Sequence, residues 1–175
     1  MDDVENRQNQ ADESNQTQSP SETPLASPMF LSSFSHTLDA KSRVVVPAVY
    51  REGLGKDFVI APSEDFGAIA LYPLAVWEAQ RDKLARKAKK NTSVGAEFLE
   101  MFTTYSFRNQ ECDSQGRCLL PTRMKQFYLQ DAKDVVISGR MDFVLVRSQE
   151  MAEARDREFM LNRAERLKQL DMIED

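Results

Sequence analysis

The sequence predicts an α+β, β-rich fold made of two tandem βαββα-like halves related by a pseudo-twofold axis. Two observations predict it. The stretch Leu38 to Pro47 recurs as Cys112 to Pro121, with Asp39, Arg43 and Pro47 answered by Asp113, Arg117 and Pro121 at a constant offset of 74. Short β-branched runs bounded by turn residues surround both copies, and a helical pattern follows each. A repeat of this period fixes the architecture. Halves this short cannot each build a core, so they are expected to pair around a shared one.

Composition narrows the function. The 175 residues carry 23 Lys and Arg against 28 Asp and Glu, a formal net charge of −5. The excess sits in residues 1–29, which hold six acids and one base and leave 22 of each sign in the other 146 residues. Any attraction to nucleic acid must therefore come from local clustering, multiplied by oligomerisation. No apolar run approaches the roughly 18 residues of a membrane span, and there is no signal-peptide core. The expectation is a cytoplasmic protein without a membrane partner. Two cysteines and one histidine do not make up a structural zinc site. With no Ser/His/Asp arrangement, metal constellation or phosphate-cradling glycine loop, no catalytic residue, metal, cofactor or small-molecule substrate is expected.

The elements follow in order. Residues 1–28 are rich in Gln, Asn, Ser, Glu and Pro with few large apolar side chains, and are expected to be disordered. Phe34 to Leu38 reads as a strand, Asp39 to Ser42 as a turn and Arg43 to Val46 as a β-branched strand stopped by Pro47. Ala48 to Leu54 is a short helix closed by glycines at 53 and 55. Asp57 to Ala61 and Ala68 to Tyr72 are strands around a Ser63–Gly67 turn. Pro73 opens a helix to about Lys90, with Val76, Trp77, Leu84, Ala85 and Ala88 on one side and bases crowding its negative end. Residues 91–104 form a linker and helix in which Phe98, Leu99, Phe102 and Tyr105 share a face, with Ser93 as cap.

The second half repeats the first. Ser106 to Cys112 is a strand, Asp113 to Gly116 a turn, Arg117 to Leu120 a strand, and Thr122 to Gln130 a helix slightly longer than its counterpart. Lys133 to Ile137 and Asp142-Phe143 match the first half at an offset of 77, so a three-residue insertion falls between Pro121 and Lys133. Phe143 to Arg147 is the last strand, and Ser148 caps a helix to about Leu170 whose bases and acids interleave.

The paired loops are the candidate site. Arg offers a planar fork suited to phosphate or guanine, and a hairpin tip can present it to a groove. An Asp four residues earlier can cap the turn or orient the guanidinium. Spacing alone equally allows a salt bridge that only stabilises the turn. Gln115 stands where the first loop has Lys41, so the first loop carries more attraction for phosphate. Arg51, Arg123 and Lys125 follow the two prolines and either extend the basic surface or sit as solvated helix bases. His36 reads as a strand residue, Trp77 and the Phe98/Phe102 face as core or subunit interface, and Cys112 and Cys118 as reduced thiols flanking the second turn.

These residues resemble the MraZ family, bacterial transcriptional regulators related in fold to the AbrB-type swapped-hairpin DNA binders. His36, Leu38, Asp39, Lys41, Arg43, Pro47 and Arg51 meet the pattern His-x-Leu-Asp-x-Lys-Gly-Arg-x-x-x-Pro-x-x-x-Arg, with Ser42 in place of its Gly. Asp113, Gly116, Arg117 and Pro121 meet the second-half pattern Asp-x-x-Gly-Arg-x-x-x-Pro, and the resemblance spans roughly residues 29–150. It implies AbrB-like halves at 30–90 and 105–175, the second with the C-terminal helix. They flank a linker helix at 91–104; the disordered acidic extension at 1–28, read from composition, and the far C-terminus lie outside the resemblance. It implies ring-shaped homo-oligomers, octamers or dodecamers, that bind double-stranded DNA at short direct repeats in the promoter of the division and cell-wall gene cluster containing the regulator's own gene. Such a protein is a nucleoid-associated repressor of its own promoter. The DNA contacts it implies are Lys41, Arg43, Arg117 and Arg51, with Asp39, Pro47, Asp113, Gly116 and Pro121 structuring the motif. The rival expectation is a ring-forming protein-interaction module without specific DNA binding.

Overall fold

The structure, a computed structural model, describes residues 29–90 and 93–173; the expected disorder of residues 1–28 lies outside the described residues. The elements run β1 (Ser33–Thr37), β2 (Arg43–Val45), α1 (Ala48–Leu54), β3 (Phe58–Pro62), β4 (Ile69–Tyr72), α2 (Leu74–Lys90), α3 (Val94–Thr104), β5 (Phe107–Gln110), β6 (Arg117–Leu119), α4 (Thr122–Tyr128), β7 (Asp134–Arg140), β8 (Phe143–Ser148) and α5 (Gln149–Asp171). Six strands form one sheet in the order β1-β7-β8-β4-β3-β5, and β2 and β6 form a separate ribbon. Every pairing is antiparallel. β1 lies on β7 from Ser33↔Ser138 to Thr37↔Asp134, and β5 lies on β3 through Phe58↔Gln110 and Ile60↔Phe107. β4 and β8 meet at the centre, from Ile69↔Val146 to Leu71↔Val144.

The period-2 alternation of the strands sorts side chains into two buried clusters. Phe58, Ile60, Ile69, Leu71, Val135, Ile137, Val144 and Val146 point to one face. There they meet Val44 and Cys118 of the ribbon, Tyr50 and Leu54 of α1, and Met124 of α4. Val59, Ala61, Ala70, Tyr72 and Leu145 point to the other face, under Trp77 and Leu84 of α2 and Phe102 of α3. Each large aliphatic here contributes about 1.5–3 kcal/mol of burial. β3 and β4 are buried on both faces, so their sequences read as continuous apolar runs. The ribbon is thereby packed on the sheet through Val44 and Cys118.

Several expectations need correction. The helix after Pro121 is not longer than its counterpart: α1 and α4 both have 7 residues. The insertion instead makes a turn, with the Leu129 and Gln130 N–H groups both donating to the Lys125 carbonyl and Gln130 at φ 52°. Ser93 precedes α3, but its side chain makes no capping hydrogen bond; its carbonyl accepts from Glu97 N–H. The apolar face of α3 is divided, with Phe102 fully buried against Trp77 and Phe98 46% exposed. Ser148 does cap α5, accepting from Met151 N–H at 3.2 Å. No residue of α5 is buried. None of the described helices is long and apolar enough to cross a membrane.

Candidate nucleic-acid interface

Each loop is built by one carboxylate. Asp39 Oδ1 accepts from the Lys41 and Arg43 N–H groups, both at 2.9 Å, while Oδ2 takes Arg43 Nε at 2.6 Å. Asp113 repeats this with Gln115 N–H at 3.0 Å, Arg117 N–H at 2.9 Å and Arg117 Nε at 2.7 Å. The backbone closes both turns in the same way. Asp39 N–H donates to Arg43 O and Ser42 N–H to Asp39 O; Asp113 N–H donates to Arg117 O and Gly116 N–H to Asp113 O. The Asp thus caps the turn and also orients the guanidinium. The N–H of Arg43 holds the Asp39 carboxyl below its ordinary value, aided by the Arg43 guanidinium and Lys41 N–H against some desolvation. Arg117 and Gln115 do the same for Asp113.

The residue before each Arg sits in the left-handed region, Gly116 at φ 78° and Ser42 at φ 61°. Glycine adopts this freely, whereas an L side chain there costs about 1 kcal/mol. Ser42 keeps the turn geometry regardless, and its hydroxyl accepts from Lys125 Nζ at 3.1 Å. Pro47 and Pro121 end the strands and stand at the entrance of α1 and α4, with φ −51° and −57°.

The β2–β6 pairing brings the loops together. Arg43 stands opposite Leu119, Val44 opposite Cys118 and Val45 opposite Arg117. Beyond them Val46 N–H donates to Gly116 O at 2.9 Å, and Leu120 N–H to Ser42 O at 3.2 Å. Arg43 Nη1 consequently lies 3.9 Å from Asp113 Oδ2 of the other loop. Lys41 is exposed, and the side chains of Arg43 and Arg117 are 27% and 34% exposed. Their Nε atoms are held by the Asp carboxylates, and the rest of each planar guanidinium is of a kind suited to phosphate or a base edge. Arg51 is partly buried and engaged elsewhere, donating from Nε to Val46 O at 2.8 Å and from Nη2 to Gln115 O at 3.4 Å.

Lys125, read from sequence only as an undecided helix base, is the contact that sequence reasoning missed. The offset of 74 from Arg51 to Lys125 was the available signal. Cys112 and Cys118 are both free thiols. The neighbouring Cys118 thiol lowers Cys112 below its ordinary value, and Cys112 together with burial pushes Cys118 up. Among the described residues, no group of His, Cys, Asp and Glu is placed to hold a metal ion.

Comparison with known proteins agrees with this geometry. A family model described as "MraZ protein, putative antitoxin-like" matches residues 29–96. The "Transcriptional regulator MraZ" of Clostridium beijerinckii is 38% identical over 122 residues, covering 70% of this chain and 83% of that protein. The protein of the same name from Natranaerobius thermophilus is 38% identical over 122 residues, covering 70% and 82%. That of Carboxydothermus hydrogenoformans is 34% identical over 123 residues, covering 70% and 83%. This breadth of similarity leads to one conclusion: the chain belongs to the MraZ family.

Proposed function

We propose that the chain is a non-enzymatic, DNA-binding transcriptional regulator that contacts double-stranded DNA through Lys41, Arg43 and Arg117. The observation that carries this reading is the β2–β6 ribbon, which holds one Asp-x-x-x-Arg turn at each end and sets Arg43 within 3.9 Å of Asp113, the carboxylate that also binds Arg117. The relatives named as transcriptional regulators support it. Asp39, Asp113, Gly116, Pro47 and Pro121 shape the turns, and Arg51 lies behind them.

The organisation proposed is two AbrB-like halves, 30–90 and 105–175, joined through 91–104 and related by a pseudo-twofold axis. The strand order supports it, because exchanging β1 with β5, β3 with β7 and β4 with β8 returns the same sheet. One protomer offers few cations, so the working form proposed is a ring homo-oligomer, an octamer or dodecamer. Neighbouring protomers in it engage successive short direct repeats, and affinity grows by avidity. Acting in the cytoplasm on the nucleoid, it represses its own promoter and the division and cell-wall gene cluster by occluding that promoter.

The test is fluorescence anisotropy of the purified protein on DNA from upstream of its own gene against a scrambled sequence, across a salt series. The reading expects tighter binding to the upstream DNA and a steep fall with salt. Equal, salt-insensitive binding to both sequences, or none to either, would sink it in favour of a ring-forming protein-interaction module.

A further inference from the structure

The two turns are not serviced by their own halves. Arg51 leaves α1 of the first half and lies over the second turn, where a Cβ added at Gly116 would fall inside its guanidinium. Its Nε is fixed on Val46 O, while Val46 N–H donates to Gly116 O, so one short circuit ties Arg51, the first strand of the ribbon and the second turn together. Lys125 leaves α4 of the second half and lies over the first turn, with Nζ 3.1 Å from Ser42 Oγ. Arg51 and Lys125 are separated by 74 residues, as are Ser42 and Gly116. The two crossings are therefore equivalent positions that use different chemistry. A flat guanidinium covers a residue without a side chain. A compact ammonium covers a residue with a hydroxyl that accepts its hydrogen bond.

We propose that Arg51 and Lys125 are positioning residues that each half lends to the other half's DNA turn, and that each is matched in size and hydrogen bonding to the residue beneath it, Arg51 to Gly116 and Lys125 to Ser42. The role rests on the function proposed above. Arg51 fixes the Gln115 carbonyl of the second turn and Lys125 the Ser42 hydroxyl of the first, and thereby each fixes the direction in which Arg117 or Arg43 leaves its turn. It also makes the ribbon a joint device of both halves, so that the two guanidinium tips move as one surface. Serine at position 42 is accordingly tied to lysine rather than arginine at position 125.

The test transplants one solution into the other turn. Gly116→Ser alone drives a hydroxymethyl group into the Arg51 guanidinium, and affinity for upstream DNA is expected to fall about tenfold, the scale of coupling between contacting side chains. Gly116→Ser with Arg51→Lys recreates the Ser42–Lys125 pair and is expected to recover most of that loss. The reverse transplant, Lys125→Arg with and without Ser42→Gly, runs the same comparison at the first turn, should Gly116→Ser fail to fold. Thermal unfolding and light scattering accompany each binding curve. Recovery of affinity in either double variant, with oligomer size unchanged throughout, is the expected result. A double variant as weak as its single parent, or a single variant that binds like wild type, would overturn the matching. If the wild type binds no DNA while the thermal midpoint is lost and regained in step, the function reading fails and the pairs only stabilise the ribbon, which overturns their positioning role.

Discussion

Replacing Arg43 with Ala is expected to flatten the salt dependence of DNA binding as well as weaken it. Three motif cations, Lys41, Arg43 and Arg117, share the loop surface with two carboxylates, Asp39 and Asp113. If each cation neutralises one phosphate, the slope of log K against log salt is about −0.9 per contact, or roughly −2.7 per engaged protomer. Two engaged protomers then give about −5.4, a fall of roughly a thousandfold between 50 and 200 mM salt. Arg43→Ala removes about a third of that slope. It also leaves Asp39 without its guanidinium at 2.6 Å and Asp113 without its neighbour at 3.9 Å, so two carboxylates face the phosphates less opposed. The accompanying loss is expected at about 1–3 kcal/mol for each engaged protomer. Anisotropy titrations at five or so salt concentrations, wild type beside variant, read both quantities. Weaker binding with an unchanged slope would refute the reasoning, since Arg43 would then act only by holding its turn.

Three further predictions follow from the same geometry. Tyr50 is 1% exposed; its hydroxyl lies 2.7 Å from the Leu31 and Ser32 carbonyls and accepts from Gly139 N–H at 3.0 Å. Tyr50→Phe keeps the ring between Phe30 and Phe34 but removes the hydroxyl bonds, while Gly139 N–H keeps its bond to Ser32 O at 2.9 Å, so the cost is about 1 kcal/mol; an unmoved thermal midpoint would contradict this. The Asp39 and Asp113 carboxyls titrate below their ordinary 3.8 in the folded chain. Their contribution to stability is therefore fully present above that value and is lost as pH falls through the lower folded value. The amide resonances of Lys41, Arg43, Gln115 and Arg117 are expected to hold steady down to about pH 4 and shift together below it; drift beginning near neutrality would count against the turns. Iodoacetamide is expected to label Cys112 well before Cys118, with a midpoint below the ordinary thiol value of 9.0, because the neighbouring Cys118 favours the Cys112 thiolate and is itself buried. Peptide mass spectrometry showing equal labelling would contradict that order.

What was legible in the sequence was what is local. The Asp-x-x-x-Arg turns are written within five residues, because one carboxylate satisfies N–H groups two and four positions on. The helix Ala48–Leu54 and the Ser148 cap were legible for the same reason. The offset of 74 marked the two turns as equivalent, and their hydrogen bonds repeat one another. Partners far along the chain were not legible. Nothing near Arg51 announces a bond to Gln115, 64 residues away, so it read as a possible DNA contact. Lys125 and Ser42 are 83 residues apart and meet only because β2 pairs with β6. The length of the helix after Pro121 was misread because a three-residue insertion shows where the count changes, not which residue leaves the helix. The exposure of Phe98 depends on how α3 lies against Phe66, 5.0 Å away, which helical periodicity alone cannot supply.

The most direct measurement of the central claim is amide hydrogen exchange of the full chain with and without DNA from upstream of its gene. The account predicts slowed exchange in the peptides carrying residues 39–46 and 113–120, with the far end of α5 unchanged. Protection confined to α3 or α5, with both turns exchanging as in the free protein, would contradict it and place the binding surface elsewhere.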